Sequence, residues 1–413
     1  MTSWSATDDL EHQVRLHDPV SDCPLIDGNR VALLPSGADA VRAIMRAIEA
    51  ARDHIHMEYY TLDDVRLDGL SLFALLEERA RSGVEVAVIW DAVGSGKTPD
   101  RRFERLRQAG AQVLEYHSVN PLRRRFNLHL NDRDHRKLTV IDGRVGFLGG
   151  ANMSRVYETP ESVGRGPDPD HAFWIDSAVR IDGPAVAEIQ KLFFHTWHGQ
   201  EGERAPLRGE AGTGSDVAGP APATKSGATA IGETLRIDGS APGERRPLYN
   251  HALRAALNGA RHRVVLATGY FVPTNREWRL LAATARRGVS VDLLLPGYSD
   301  VPPAVHAARA LYGRLLAAGI RIHEVRRAML HAKVGTIDGV WTAIGSSNLD
   351  RRSVYYNNEI DAIVLGRPTA GAVEAMLRAE IARAVQIRLR DWTGRSLREH
   401  IAEQAARVWK QLM

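Results

Sequence analysis

Two segments of the sequence carry histidine, lysine, aspartate, glycine and asparagine in one frame. Counting from the histidine, lysine follows at +2, aspartate at +7, glycine at +14 and asparagine at +17. The two copies are His135, Lys137, Asp142, Gly149, Asn152 and His331, Lys333, Asp338, Gly345, Asn348. The chain has only six lysines, so the presence of two of them in this frame argues against a chance match.

These residue types suit chemistry on a phosphodiester. Residues two apart on a strand project to the same side, so each copy presents an imidazole beside an ammonium group. The two lysines, with the amides of Asn152 and Asn348, would stabilise the charge that grows on the non-bridging oxygens during attack on phosphorus. One histidine attacks as a neutral nucleophile while the other, protonated, gives its proton to the leaving alkoxide. We expect neither a metal ion nor a cofactor.

Carboxylates complete the predicted site. A buried histidine needs an acceptor for its second ring nitrogen, which fixes its tautomer. Asp176 and Glu359 occupy equivalent places after the two motifs and are the candidates for orienting the histidines. Asp142 and Asp338 are candidate catalytic residues as members of the motif. Each precedes a turn glycine, so the capping of a hairpin turn is at least as good an interpretation of them.

The elements that position these residues occur twice along the chain. Each half has a helical segment, a strand-like run, a second helix and a buried strand: ADAVRAIMRAIEAARD, HIHMEYYTL, LSLFALLEERARSG and VEVAVIWDAVGS, then LYNHALRAALNGAR, VVLATGYFVP, EWRLLAATARRG and VSVDLLLPGYSD. Each half continues with a helix ending in glycine, a strand, and a motif hairpin with an Asp-Gly turn. Helices alternating with strands that are apolar on both faces predict a parallel or mixed sheet covered by helices.

We therefore predict an α/β fold of two pseudo-symmetric α/β/α sandwich domains with the active site at their interface. The predicted parts are an N-terminal extension (1–27), a first domain (28–200), a flexible linker (201–230), a second domain (231–390) and a C-terminal helix (391–413). The linker is assigned from its content of Gly, Ala, Pro, Ser and Thr. The C-terminal helix is assigned from an apolar stripe at helical spacing.

Composition limits the class of protein. With 44% hydrophobic and 25% charged residues among 413, the chain resembles soluble globular proteins, and no apolar run approaches the roughly 18 residues of a membrane span. The N-terminus lacks a basic segment followed by an apolar one, so we expect no secretory signal. The single cysteine, Cys23, cannot form an intramolecular disulfide and suits a reducing compartment. The basic residues are almost all arginines, which suit phosphate recognition.

The motifs and their flanks resemble the phospholipase D superfamily, and within it the bacterial cardiolipin synthases of the short type without transmembrane segments. The resemblance covers about Gly28 to Arg398 and rests on both HxKxxxxD motifs with their GGAN and GSSN followers. The flanks EYYTL, GVEVAVIWDAVGS, YFVP, RRGVSVDLLLPG and NNE resemble the synthases more than the superfamily at large. Met153, after GGAN, stands where the synthases often have isoleucine.

The resemblance implies a covalent phosphohistidine, with His135 as nucleophile and His331 as acid, and it matches Asp176 and Glu359 to the family's histidine-orienting carboxylates. It implies that two phosphatidylglycerols are joined into cardiolipin with release of glycerol. The implied partner is an anionic phospholipid at a membrane surface, with no nucleic acid and no obligate protein partner. The implied location is peripheral, on the cytoplasmic side of the bacterial cell membrane.

Two other reactions use the same chemistry. A phospholipase D would pass the phosphatidyl group to water and release phosphatidic acid, and only the access of water or alcohol separates the two reactions. A nuclease would act on the same atoms of a DNA phosphodiester. Against a nuclease, the net charge is only +4 and no stripe of interleaved aromatic and basic residues is present. A basic and apolar insertion, NPLRRRFNLHLNDR, precedes the first motif and is a candidate for docking on lipid headgroups.

Overall fold

The computed structural model describes residues 6–17, 23–118, 132–158, 172–199, 206–210, 232–242 and 248–393. Most of the predicted linker lies outside these residues, as does the predicted C-terminal helix from residue 394 onward. The insertion before the first motif also lies outside them up to residue 131. The predicted domain boundaries therefore stay predictions.

The first half of the chain alternates helices and strands. A first helix, α1 (Ala6–His17), precedes it. The elements are β1 (Ile26–Leu34), α2 (Gly37–Ala50), β2 (His54–Tyr59), β3 (Arg66–Leu67), β4 (Leu70–Ser71), α3 (Leu72–Arg81), β5 (Glu85–Asp91), α4 (Asp100–Gln108), β6 (Gln112–Tyr116), β7 (Arg133–Asp134), β8 (Lys137–Ile141), β9 (Val145–Gly149), a 3-10 turn (Arg155–Glu158), β10 (Trp174–Ile175), β11 (Ala178–Asp182) and α5 (Val186–Gly199).

The second half repeats this order. Its elements are β12 (Glu233–Ser240), α6 (Leu248–Gly259), β13 (Arg263–Ala267), α7 (Asn275–Arg286), β14 (Ser290–Pro296), α8 (Pro302–Ala317), β15 (Arg321–Val325), β16 (Met329–Leu330), β17 (Val334–Ile337), β18 (Trp341–Gly345), α9 (Arg351–Tyr355), β19 (Asn357–Leu365), α10 (Arg367–Ala382), β20 (Val385–Ile387) and α11 (Leu389–Thr393). The local signals are those expected: Ser36 caps α2 and a Thr274–Glu277 capping box begins α7.

The strands of both halves form one continuous sheet. Its order is β20-β15-β14-β13-β17-β18-β19-β12-β1-β11-β9-β8-β2-β5-β6, and β7 pairs with β19 outside this path. The strands β12 and β1 are neighbours at the centre of this order. Counted outward from them, the seven strands from β12 to β15 correspond one by one to the seven strands from β1 to β6. The predicted α/β fold with pseudo-symmetric halves is confirmed, and antiparallel pairing of β1 with β12 joins the halves edge to edge.

Helices cover both faces of the sheet. In the first half α2, α3 and α4 pack on one face, and in the second half α6, α7 and α8 do so. On the opposite face, α5 and α10 bury the apolar cluster that runs across the junction of the two halves. Burial on both faces explains why strands such as EVAVIWD read as continuous apolar runs. No helix in the part of the chain that the structure describes is long and apolar enough to cross a membrane.

Candidate active site

Each motif histidine is tied by its backbone to the opposite half of the protein. The short strand β7 pairs in parallel with the start of β19, and the N–H of His135 donates to the carbonyl of Asn358 at 3.0 Å. In the same way β10 pairs with β16, and the N–H of His331 donates to the carbonyl of Ile175 at 2.8 Å. These two reciprocal pairings bring both motifs to one place at the junction of the halves.

The histidine-orienting carboxylates are exchanged between the halves. Glu359, which follows Asn358, accepts from Nδ1 of His135 at 3.0 and 3.1 Å. Asp176, which follows Ile175, accepts from Nδ1 of His331 at 2.6 Å. Each bond holds the proton on Nδ1 and leaves the Nε2 lone pair for chemistry. The sequence placed one carboxylate in each half, but it did not show which histidine each one serves.

The two carboxylates are held by different donors. Asp176 also accepts from the hydroxyl of Tyr157 at 2.9 Å. Gly150 leaves room for this pair, because a Cβ there would lie 2.2 Å from Asp176 Oδ1. At the matching place in the second half stands Ser346, whose hydroxyl donates to Glu359 at 2.5 Å. The side-chain amide of Asn357 adds a second donor to Glu359 at 3.1 Å.

The charges of the two pairs differ as well. Burial raises the pKa of Glu359 to about 7, although Lys137 and the hydrogen bonds oppose this. Burial also acts on Asp176, but attraction to His331 and its hydrogen bond hold the pKa of Asp176 below its usual value. Burial and the charge of Lys137 hold the pKa of His135 well below 6.5. Burial and the charge of Lys333 lower the pKa of His331 as well, but Asp176 opposes this. His135 is therefore the histidine more strongly held in its neutral form.

Both motif lysines are buried beside the histidines. Lys137 and Lys333 are 1% and 3% exposed, and each ammonium donates to the carbonyl of the histidine two residues earlier. Burial lowers the pKa of Lys137 to about 7 and that of Lys333 to about 8, against the attraction of the carboxylates. A bound phosphate diester would stabilise the charged form of both lysines.

The two motif asparagines make equivalent contacts. Oδ1 of Asn152 accepts the N–H of Thr61 at 3.1 Å, and Oδ1 of Asn348 accepts the N–H of Tyr270 at 3.1 Å. These bonds fix the plane of each side-chain amide and direct its NH₂ group away from that backbone. The predicted phosphate-binding asparagines thus lie in matched positions in the two halves.

Asp142 and Asp338 do not join this cluster. They lie at positive φ in the hairpin turns, at the far end of the motif strand, roughly 20 Å along the chain from the histidine. Oδ1 of Asp142 accepts the N–H groups of Asp53 and His54 at 2.8 and 3.0 Å, and Asp338 binds the equivalent segment of the second half. These contacts support the turn-capping interpretation of both residues, and their catalytic role stays a prediction.

Aromatic side chains line the histidines, and the sequence interpretation did not include them. Tyr60 lies edge-on to His135, with ring centroids 5.2 Å apart. Trp174 and Tyr270 lie edge-on to His331 at 5.4 and 6.3 Å. Tyr60 directly follows β2 and Tyr270 lies three residues after β13, so a position near a strand end was the available signal for these two residues. Among the described residues, no three His, Cys, Asp or Glu side chains are grouped so that they could hold a metal ion.

Comparison with known proteins places the chain in a family. A family model described as "Cardiolipin synthase, PLD-like domain" matches residues 44–160 and 253–381. Cardiolipin synthase A of Pseudomonas aeruginosa is 34% identical over 364 residues, covering 88% of this chain and 69% of that protein. Cardiolipin synthase of Geobacillus kaustophilus is 30% identical over 409 residues, covering 97% of this chain and 76% of that protein.

The fold has a counterpart among solved structures. Phosphatidylserine synthase of Haemophilus influenzae Rd KW20 superposes with a TM-score of 0.68, covering 97% of this chain and 96% of that one. The sequence identity is 13%, so this likeness concerns the fold alone.

Proposed function

We propose that this chain, which belongs to the cardiolipin synthase family with a phospholipase D-like domain, joins two phosphatidylglycerols into cardiolipin and glycerol. The observation that carries the proposal is the reciprocal arrangement of His135 with Glu359 and of His331 with Asp176. It supplies two imidazoles with free Nε2 atoms at one site, each oriented by a different carboxylate.

The first half-reaction uses the two histidines in different roles. Nε2 of neutral His135 attacks the phosphorus of one phosphatidylglycerol, forming a P–N bond as the P–O bond to glycerol breaks. His331, whose protonated form is stabilised by the carboxylate of Asp176, gives its Nε2 proton to the departing glycerol oxygen. Lys137, Lys333 and the NH₂ groups of the motif asparagines stabilise the charge on the non-bridging oxygens.

The second half-reaction reverses these roles. A hydroxyl of a second phosphatidylglycerol headgroup attacks the phosphohistidine and gives its proton to Nε2 of His331. The P–N bond to His135 breaks, and the new phosphodiester is cardiolipin. A diester enters and a diester leaves, so the same charged groups serve both transition states.

We infer that the partner is an anionic membrane surface, approached from the cytoplasmic side. Five large apolar side chains are exposed among the described residues, and three of them form an apolar rim beside the site: Val93, Tyr355 and Tyr356, which are 50%, 48% and 37% exposed. The carbonyl of Tyr356 accepts the N–H of Arg133, two residues before His135, at 3.1 Å. Asp91 accepts the N–H of Val93 at 2.9 Å and lies 3.7 Å from the Arg133 guanidinium.

Arginines accompany the apolar rim. The guanidinium of Arg351 lies over the ring of Tyr355 at 5.6 Å, and the charge of Arg352 acts on His135. Tyrosine and arginine together suit the boundary between anionic headgroups and acyl chains. This combination supports a peripheral orientation in which the rim enters the membrane surface and the site faces the headgroups.

The proposal is tested by incubating the purified protein with phosphatidylglycerol liposomes and identifying the products by mass spectrometry. Cardiolipin and glycerol in equal amounts are expected. Phosphatidic acid as the sole lipid product would make the protein a hydrolase. Nicking of plasmid DNA without lipid turnover would refute a lipid substrate altogether.

A further inference from the structure

The site departs from pseudo-symmetry on the side of His331. Strand pairing matches Thr61 of the first half with Tyr270 of the second, because the next residues, Leu62 and Phe271, form equivalent bridges. It also matches the loops after β5 and β14. The N–H of Ala92 donates to the carbonyl of Tyr116, and at the equivalent position the N–H of Gly297 donates to the carbonyl of Val325. Three residues further along, Ser95 in the first half corresponds to Asp300 in the second.

The two matched side chains have different environments. Ser95 is 1% exposed, and its hydroxyl donates to the backbone carbonyl of Tyr60 at 2.9 Å. Asp300 is exposed, and its carboxylate accepts from the hydroxyl of Tyr270 at 2.8 Å and from that of Ser299 at 2.9 Å. Tyr270 is the tyrosine that lies edge-on to His331.

A carboxylate in this place weakens the binding of a phosphate. Burial lowers the pKa of Lys333, and Asp300 is among the carboxylates that oppose this, so Asp300 acts on the phosphate-binding lysine. The two donors that reach Asp300 leave further acceptor capacity on its oxygens, because an ionised carboxylate has about four lone-pair sites. An exposed carboxylate that is linked to the acid–base histidine through Tyr270 therefore suits a neutral ligand that carries hydroxyl donors.

We infer that Asp300, held by Tyr270, is the recognition site for the second hydroxyl of a vicinal diol in the alcohol that reacts at His331. This inference rests on the proposed function and adds the residues that select the acceptor. The reacting primary hydroxyl gives its proton to Nε2 of His331 and its oxygen to phosphorus, as the P–N bond to His135 breaks. The neighbouring hydroxyl donates to an oxygen of Asp300, which orients the attacking oxygen and favours a polyol over water.

The test measures how one common intermediate is divided between two alcohols. Phosphatidylglycerol liposomes are incubated with the full chain, deuterium-labelled glycerol and propan-1-ol at equal concentrations. Mass spectrometry then counts labelled phosphatidylglycerol and phosphatidylpropanol. Both products arise from the same phosphohistidine, so their ratio does not depend on the donor or on the amount of active protein. The unaltered protein is expected to prefer glycerol, and equal use of the two alcohols would overturn the inference without any variant.

Variants of Asp300 and Tyr270 test whether these residues cause the preference for glycerol over propan-1-ol. Asp300→Asn and Asp300→Ser should each lower the glycerol to propanol ratio about tenfold; the second variant introduces the residue of the first half. This is the low end of the change expected for one hydrogen bond to a charged group, because Asp300 is exposed. Tyr270→Phe removes a donor that holds the carboxylate and should lower the ratio by less. The control Asp391→Asn removes a charge from another exposed carboxylate and should leave the ratio unchanged.

Two failures are distinguishable. A ratio that stays the same in active Asp300 variants refutes the diol site and leaves phosphatidyl transfer intact. Accumulation of phosphatidic acid with no phosphatidyl alcohol from either acceptor refutes the proposed function itself.

Discussion

In the proposed mechanism, the exchange of carboxylates between the halves makes Asp176 the partner of the acid and Glu359 the partner of the nucleophile. Asp176→Asn keeps the shape of the side chain but removes the charge that stabilises an imidazolium at His331. A hydrogen bond to a charged group contributes about 2 kcal/mol, so release of glycerol should slow about 30-fold. The bond in question is buried and short, at 2.6 Å, so this value needs no reduction for solvent screening.

The assay compares two donors in the first turnover, before the acceptor reacts. Phosphatidylglycerol needs a proton for its leaving alkoxide, whereas the p-nitrophenyl ester of phosphatidic acid releases a stable phenolate without one. Asp176→Asn should therefore slow glycerol release about 30-fold and nitrophenolate release by less than about threefold. Glu359→Gln should slow both donors by a similar factor, because it acts on attack by His135.

The opposite pattern would refute this assignment. If Asp176→Asn slows both donors equally while Glu359→Gln spares the nitrophenyl ester, His331 is the nucleophile and His135 the acid. If neither variant distinguishes the donors, the two carboxylates do not act through separate histidines. Tyr157→Phe serves as a matched control, since it removes one donor from Asp176 but leaves the charge in place.

Four further predictions follow from the geometry. His135→Ala and His331→Ala should each abolish cardiolipin formation, and substantial activity in either would rule out a shared site. Lys137 and Lys333 are charged below their pKa values of about 7 and about 8 and lose the charge above them. We therefore expect kcat/KM to fall as the pH rises from 7 to 9. A flat profile over that range would show that the lysines stay charged in the free protein. Asp142→Asn should lower the free energy of unfolding by about 1–2 kcal/mol in urea titrations, because the carboxylate binds backbone N–H groups. Since these groups lie far from the histidines, kcat should stay close to that of the unaltered protein. A large loss of kcat in a stable variant would support the catalytic interpretation. The double variant Tyr355→Ser/Tyr356→Ser should co-sediment less with phosphatidylglycerol liposomes and retain activity on short-chain phosphatidylglycerol in solution. The control Val385→Ser/Leu389→Ser alters two exposed apolar side chains outside the rim and should bind liposomes as the unaltered protein does. Equal binding by the two double variants would exclude the apolar rim as the docking surface.

The order of elements could be predicted from the sequence because it occurs twice. Helical and strand periodicity, turn glycines and the two motifs repeat in the same order, and each copy supports the assignment of the other. The positions of His135 and His331, just ahead of the matched strands β8 and β17, follow from this repeat. The edge-to-edge pairing of β1 with β12 could not be predicted, because nothing in either segment identifies its partner strand.

The exchange of Asp176 and Glu359 also could not be predicted. Both residues occupy matched places after the motifs, so pairing within a half and pairing between halves are equally compatible with the spacing. The choice depends on the two parallel pairings of β7 with β19 and of β10 with β16, which join residues more than 150 positions apart. Asp300 could not be predicted from the repeat, because the matched residue in the first half is Ser95.

The two reciprocal pairings also determine what one half of this protein would be able to do alone. A fragment that contains His135 but not Glu359, or His331 but not Asp176, lacks both the acceptor for its imidazole and the neighbouring strand that holds the histidine backbone. Such a fragment would regain a complete centre only by associating with a second fragment about a two-fold axis through the junction. Two chains would then share a single reaction centre, and activity would rise with the square of fragment concentration at high dilution. The covalent link between the halves removes that dependence on concentration.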